Sequence, residues 1–187
     1  MICKRLDVFG LVIFLFHVIG MLGLSSNNLS SFFLDLVPLN LLLTFLYCYK
    51  FTPLNGHIKL GVFIFTFGFF VEVIGVKTGL LFGDYSYGHP LGLKFLNVPL
   101  IIGINWLILS ICTYGFISSF IYSFFLKVIF SSIFMVLIDI LIEPVAINLG
   151  FWSWDLIDIP IKNYFMWFIV SFIINYLLAS SQVKINY

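Results

Sequence analysis

Six apolar runs divide this chain, at residues 8–24, 32–49, 60–76, 98–122, 128–149 and 163–180. A membrane helix needs about 20 predominantly apolar residues, with a range of about 17–25, so each run predicts a transmembrane helix. The breaks between runs are polar or rich in turn residues: SSNNLSS after the first, and KFTPLNGHIK with Pro53 and Gly56 after the second. The two longest breaks are residues 77–97, after the third run, and GFWSWDLIDIPIK, after the fifth. The pattern predicts an all-α integral membrane protein, a single bundle of about six transmembrane helices.

Charge orients the bundle. Lys4, Arg5, Lys50, Lys59, Lys127 and Lys184 fall at one set of run ends, and Lys77, Lys94 and Lys162 at the other. Short cytoplasmic loops carry the excess of Lys and Arg, so both termini are expected inside, in a prokaryotic cytoplasmic membrane. Lys4 and Arg5 ahead of an apolar run resemble a signal peptide, but no small-x-small cleavage site follows. An uncleaved first span is expected.

Composition agrees with the pattern. The 187 residues are 62% hydrophobic, 20% aromatic and 9% charged, against about 25% charged in a soluble domain. A net charge of +1 offers nothing to a nucleic acid. Cys3, Cys48 and Cys112 make neither a metal pattern nor a disulfide framework and read as small apolar residues.

The acids break the apolar pattern. On the predicted topology Asp35, Glu72, Asp139 and Glu143 all fall towards the outer ends of their spans, the side on which both long loops open. Asp139 and Glu143 are four residues apart and so share one helix face. Each acid at mid-span costs about 2.5–3.5 kcal/mol, while a large apolar residue returns about 0.3–0.6 kcal/mol. The fifth span must therefore turn this face into the bundle, where its acids find hydrogen bonds.

An internal echo accompanies the acids. Val98–Trp106 and Ile159–Trp167 both place Pro seven residues before Trp. Each follows an aromatic-Ser-aromatic triplet, Tyr85-Ser86-Tyr87 or Trp152-Ser153-Trp154, and each triplet follows a span with a late glutamate. Spans three–four and five–six read as two related hairpins, with Glu72 and Glu143 facing each other at their interface.

A carboxylic acid enclosed by apolar groups favours its neutral form and can act as a general acid. Glu72 and Glu143 are the candidates. The plainer alternative is two buried acids that only bond neighbouring spans. Asp84 reads equally as a second acid, a water-orienting group or a turn residue, and Asp139 as a partner to Glu143 or an interhelical hydrogen bond. Asp155 and Asp158 are expected in solvent and Asp35 at the interface. Tyr85, Tyr87, Trp152 and Trp154 suit an aromatic belt or a pocket whose ring faces stabilise a cation, and Trp106 and Trp167 can line the same pocket. His17, His57 and His89 have no spaced partner for a metal. The chain contains no glycine-rich phosphate loop, zinc spacing, nucleophile elbow or Asp-rich magnesium site. The chemistry left is acid catalysis in an oily aromatic cavity, which suits a lipophilic polyene and needs no metal or redox cofactor.

The motif E-x-x-G-x-x-T-G-x-x-F-G-x-Y-x-Y, from Glu72 to Tyr87, followed by Val98-Pro99 and Trp106, resembles the carotenoid biosynthesis membrane protein family. The second half resembles it through D-x-x-x-E-P-V-A (Asp139, Glu143 to Ala146), G-F-W-S-W (Gly150 to Trp154) and I-P-x-x-N-Y-x-x-W (Ile159, Pro160, Asn163, Tyr164, Trp167). The resemblance covers residues 61–178. Near Asn163 the chain reads Ile-Pro and Asn-Tyr where the family often carries Gly-x-Pro and Asn-Phe. The family includes carotenoid hydratases acting on acyclic ends and is similar in architecture to heterodimeric lycopene cyclases.

The resemblance implies an enzyme that hydrates the terminal double bond of an acyclic carotenoid. Glu72 or Glu143 would protonate the alkene, with Asp84, Asp139 or the second glutamate holding water. Tyr85, Tyr87, Trp106, Trp152, Trp154, Asn163 and Trp167 would line the substrate pocket. Two rivals remain: a carotenoid cyclase using the same protonation, and a non-catalytic carotenoid-binding subunit.

Overall fold

The computed structural model describes residues 8–51, 57–156 and 158–181. Cys3, Lys4, Arg5, Pro53, Gly56 and Lys184 lie outside them. The described chain forms helices α1 (Val8–Leu24), α2 (Ser30–Asp35), α3 (Val37–Phe51), α4 (Ile58–Thr78), α5 (Ile101–Ser118), α6 (Phe124–Asn148) and α7 (Ile161–Ser180). Its strands are β1 (Tyr85–Tyr87), β2 (Lys94–Phe95), β3 (Val98–Pro99) and β4 (Trp152–Trp154).

Among the described residues, α4, α5, α6 and α7 are long and apolar enough to cross a membrane, and α1 is a shorter apolar helix of 17 residues. This corrects the expectation of six continuous spans. The run at 32–49 is not one helix: α2 stops at Asp35 and α3 begins at Val37. Pro38 explains the break, since it has no N–H to donate to the carbonyl four residues back. The run at 98–122 also starts late, because Val98 and Pro99 pair with Lys94 and Phe95 as a two-residue ribbon.

Antiparallel neighbours follow from the connections. Cys48 and Cys112 are free thiols with sulfurs 3.7 Å apart. They lie late in α3 and late in α5, so these helices run in the same direction. The packing centre is α5, which touches α3, α4, α6 and α7. Its small residues suit that place: in lipid, helices associate by close packing rather than by expulsion of water. Gly103 lies against Phe65 of α4, and Gly68 of α4 admits the Trp106 side chain of α5.

The loops between helices are not irregular throughout. Strands β1 and β4 pair antiparallel, with Tyr85 opposite Trp154, Ser86 opposite Ser153 and Tyr87 opposite Trp152. The two serine hydroxyls meet at 3.3 Å at the centre of the pair. Successive strand residues point to opposite faces, so Ser86 and Ser153 point outward while all four aromatics point towards the bundle. This ribbon ties the α4–α5 connection to the α6–α7 connection. Further bonds extend it: Gly88 N–H donates to Phe151 C=O (2.8 Å), Asp155 N–H to Asp84 C=O (3.0 Å), and Lys162 Nζ to Gly79 C=O (2.7 Å).

Gly88 sits where the Gly150 carbonyl oxygen occupies the space a Cβ would need. Both groups are backbone, so neither can rotate away. Gly88→Ala should therefore destabilise the protein by about 1–3 kcal/mol, seen as a lower midpoint of thermal unfolding in detergent. An unchanged midpoint would contradict the tight approach of the two loops.

Candidate active site

The site lies beneath the β1–β4 ribbon, between α4, α5, α6 and α7. Glu72 on α4 is 4% exposed, and Asp139 and Glu143 on α6 are each 2% exposed. All three line one cavity of about 40 Å³, together with Phe82, Tyr85, Tyr87, Ile102, Asn105, Trp106, Ile142, Trp152, Trp154, Asn163 and Trp167. One water needs roughly 10–15 Å³ on this measure, so the cavity has room for water-sized molecules and not for a polyene.

Local sequence explains how Glu72 is reached. Gly68, one turn before it, leaves space for the Trp106 ring, and Gly75, one turn after it, leaves space for Phe82 and the Tyr85 hydroxyl. Side chains at either glycine would hold these groups off the helix. Gly79 then ends α4 in the left-handed conformation at φ 63°, which glycine adopts without a Cβ penalty. The turn brings β1 back over the helix end.

Each glutamate accepts hydrogen bonds from aromatic side chains of its own hairpin. Tyr85 donates its hydroxyl to Glu72 Oε2, and Tyr87 donates to the same oxygen at 2.9 Å. Trp106 Nε1 donates to Glu72 Oε1 at 3.0 Å. Trp152 Nε1 and Trp154 Nε1 both donate to Glu143 Oε2, at 2.9 and 3.1 Å. Asn163 at the start of α7 donates from Nδ2 to Asp139 Oδ2 at 2.9 Å and reaches Glu143 Oε1 at 3.5 Å. The strand period is what lets residues two apart share one carboxyl oxygen: Tyr85 with Tyr87, and Trp152 with Trp154. The rings also pack on one another. Trp106 stacks on Trp167 with centroids 4.4 Å apart, and Tyr85 lies 5.1 Å from Trp154 across the ribbon.

A family model described as "Carotenoid biosynthesis protein" matches residues 32–185. The chain belongs to the carotenoid biosynthesis protein family. A relative in Haloarcula japonica (strain ATCC 49778 / DSM 6131 / JCM 7785 / NBRC 101032 / NCIMB 13157 / TR-1), named bisanhydrobacterioruberin hydratase, is 23% identical over 125 residues, which cover 60% of this chain and 40% of the relative. The chain thus matches well under half the length of that relative. No solved structure matches.

The residues read from this member's sequence fall mainly into one place. Glu72, Glu143, Asp139, Tyr85, Tyr87, Trp106, Trp152, Trp154, Asn163 and Trp167 all line the cavity. Asp84 does not. It is exposed, it lies beside Gly79, and its carbonyl accepts from Asp155. Asp35, Asp155 and Asp158 are also exposed. Sequence reasoning missed Asn105, Phe82, Ile102 and Ile142. Asn105 carried a signal as an amide inside an apolar run, and Phe82 as the aromatic position of the Glu72–Tyr87 motif.

The two tyrosines lie outside the spans, and burial holds both phenols well above the ordinary tyrosine range, reinforced by the neighbouring Glu72 carboxyl. A raised value favours the protonated phenol, so both remain donors at and above neutral pH and are lost only as the pH climbs past the usual value. An absorbance titration of the wild type minus the Tyr85→Phe/Tyr87→Phe variant should show two phenols ionising well above pH ~10. Ionisation of both near the ordinary value would contradict the buried hydrogen bonds to Glu72.

Proposed function

We propose that this protein hydrates the terminal double bond of an acyclic carotenoid, with Glu72 as general acid and Glu143, assisted by Asp139, as the group that holds and deprotonates water. The observation that carries this reading is the enclosure of three carboxyls around one water-sized cavity with no cation among the lining residues. Neutral aromatic donors alone surround the two glutamates apart from the Asn163 amide.

The donor types support the division of roles. A tyrosine hydroxyl can donate or accept, whereas an indole N–H and an amide NH₂ only donate. Glu72 can therefore carry a proton while its tyrosines turn to accept it. Glu143 Oε2 faces two indole donors, an arrangement suited to a carboxylate. In the reaction, the Glu72 O–H bond breaks and its proton forms a C–H bond with the less substituted alkene carbon, using the π pair. The tertiary cation left behind takes a lone pair from water, forming the C–O bond. The water proton passes to Glu143, and proton return to Glu72 closes the cycle. The net change is addition of one water with no change of overall redox state.

The two hairpins α4–α5 and α6–α7 read as a repeat about an axis through the Ser86–Ser153 pair. Matching glutamates, triplets and the stacked Trp106–Trp167 pair support that reading. The Lys and Arg distribution orients the ribbon end away from the cytoplasm and both termini towards it.

The roles are separable in D₂O with lycopene as substrate. Glu72→Gln should abolish both the hydrated product and deuterium entry into the end group. Glu143→Gln should lower hydration at least 100-fold while retaining deuterium entry, because the cation still forms and reverts. Full hydration in both variants would end the proposal, and a product isomeric with lycopene, without the mass of water, would make the protein a cyclase. For orientation, Asp155→Cys in a background lacking the native cysteines should react with a membrane-impermeant thiol reagent in intact cells. Reaction only after lysis would invert the topology.

A further inference from the structure

The acid cavity of about 40 Å³ cannot contain the chain of its own substrate. A second space lies at the same end of the bundle. It is a groove of about 950 Å³ between the late part of α1, the start of α3 and the end of α6. Its size is that of sites that bury whole ligands, about 300–1,000 Å³. The walls are mostly apolar, with Phe16, Leu24 and Leu41 on one side and Val145 and Leu149 on the other.

The groove and the acid cavity share a boundary. Pro144 and Val145 line the groove and directly follow Glu143 in α6. Phe151 also lines the groove, and its ring packs beside that of Trp152 at 6.5 Å. Trp152 in turn donates to Glu143. The two spaces share no lining residue: they lie on different faces of α6, and Phe151 and Trp152 stand between them where that helix ends, at the edge of the ribbon. Gly20 of α1 faces the groove, and a Cβ added there would meet nothing within 4 Å.

We propose that this groove holds the polyene chain of the substrate, with its terminal double bond turned past Phe151 and Trp152 towards Glu143 and Glu72; the inference rests on the carotenoid reading of the acid site. A long apolar chain is the occupant that fits an apolar groove beside an acid site too small for a polyene. Phe151 is then a positioning residue, since it stands between the chain and the reacting end.

The test uses full-length Glu72→Gln protein expressed with lycopene, so that bound substrate is not consumed, and measures carotenoid and phospholipid retained per protein after purification. Gly20→Phe fills the groove from α1 without displacing backbone, and Val145→Trp fills it from α6. Each, in that background, should cut retained lycopene at least five-fold while elution volume and thermal midpoint stay unchanged. Phe151→Ala, in the otherwise wild-type protein, should keep retained lycopene but lower kcat for hydration at least ten-fold, with KM little changed. Undiminished lycopene in both filled variants, or loss of phospholipid in place of lycopene, would overturn the groove assignment. Hydration persisting in Glu72→Gln would instead overturn the acid assignment, and the summed retention of lycopene and its hydrated product, which should still fall at least five-fold in the filled variants, would then test the groove.

Discussion

A carboxyl group buried among apolar helices is cut off from bulk water, so most of its hydrogen bonds must come from protein. The arrangement around Glu72 and Glu143 meets this constraint with neutral donors. Two tyrosine hydroxyls and one indole reach the first, and two indoles reach the second. A lysine or arginine would have satisfied the same carboxyls more strongly, but it would have locked each as an ion pair. Neutral donors leave the proton free to move, as the proposed acid catalysis requires.

The rest of the fold can be understood as the means of delivering those donors. Short strands β1 and β4 put aromatic residues two apart on one face, and their pairing points both sets of rings at the bundle. Gly68 and Gly75 in α4 clear the volume that Trp106 and the Tyr85 hydroxyl need. The two lysines beside the ribbon bond backbone carbonyls rather than carboxyls: Lys94 donates to Tyr87 C=O, and Lys162 donates to the Gly79 carbonyl at the end of α4. Lys162 closes the two connections on each other without bringing positive charge to the acid cavity.

Separation of spaces has a chemical use as well. A carbocation survives only where nucleophiles are few, and a water-sized cavity rationed by Trp and Tyr rings admits one at a time. On the proposed reading, a polyene in the groove stays in an apolar environment while its end reaches the acids, with Phe151 and Trp152 standing where the two spaces approach each other.

Much of this was legible along the chain. Apolar run length marked the four long helices, and the cost of a charge in lipid marked Glu72, Asp139 and Glu143 as inward-facing. Run length misjudged residues 32–49, because Pro38 breaks the backbone ladder without breaking the apolar pattern. Asp84 stayed ambiguous along the chain: an acid between Gly83 and Tyr85 reads equally as a site residue or a turn residue, and only the course of the loop leaves it exposed. Local spacing determined which residues were helical, which acids had to be buried and which family pattern they matched. Tertiary structure alone decided that the two sets of donors close over one cavity, because that depends on Ser86 pairing with Ser153 across 67 residues. No periodicity within one segment encodes such a pairing; it arises only when both hairpins have packed and their backbone hydrogen bonds have nowhere else to go.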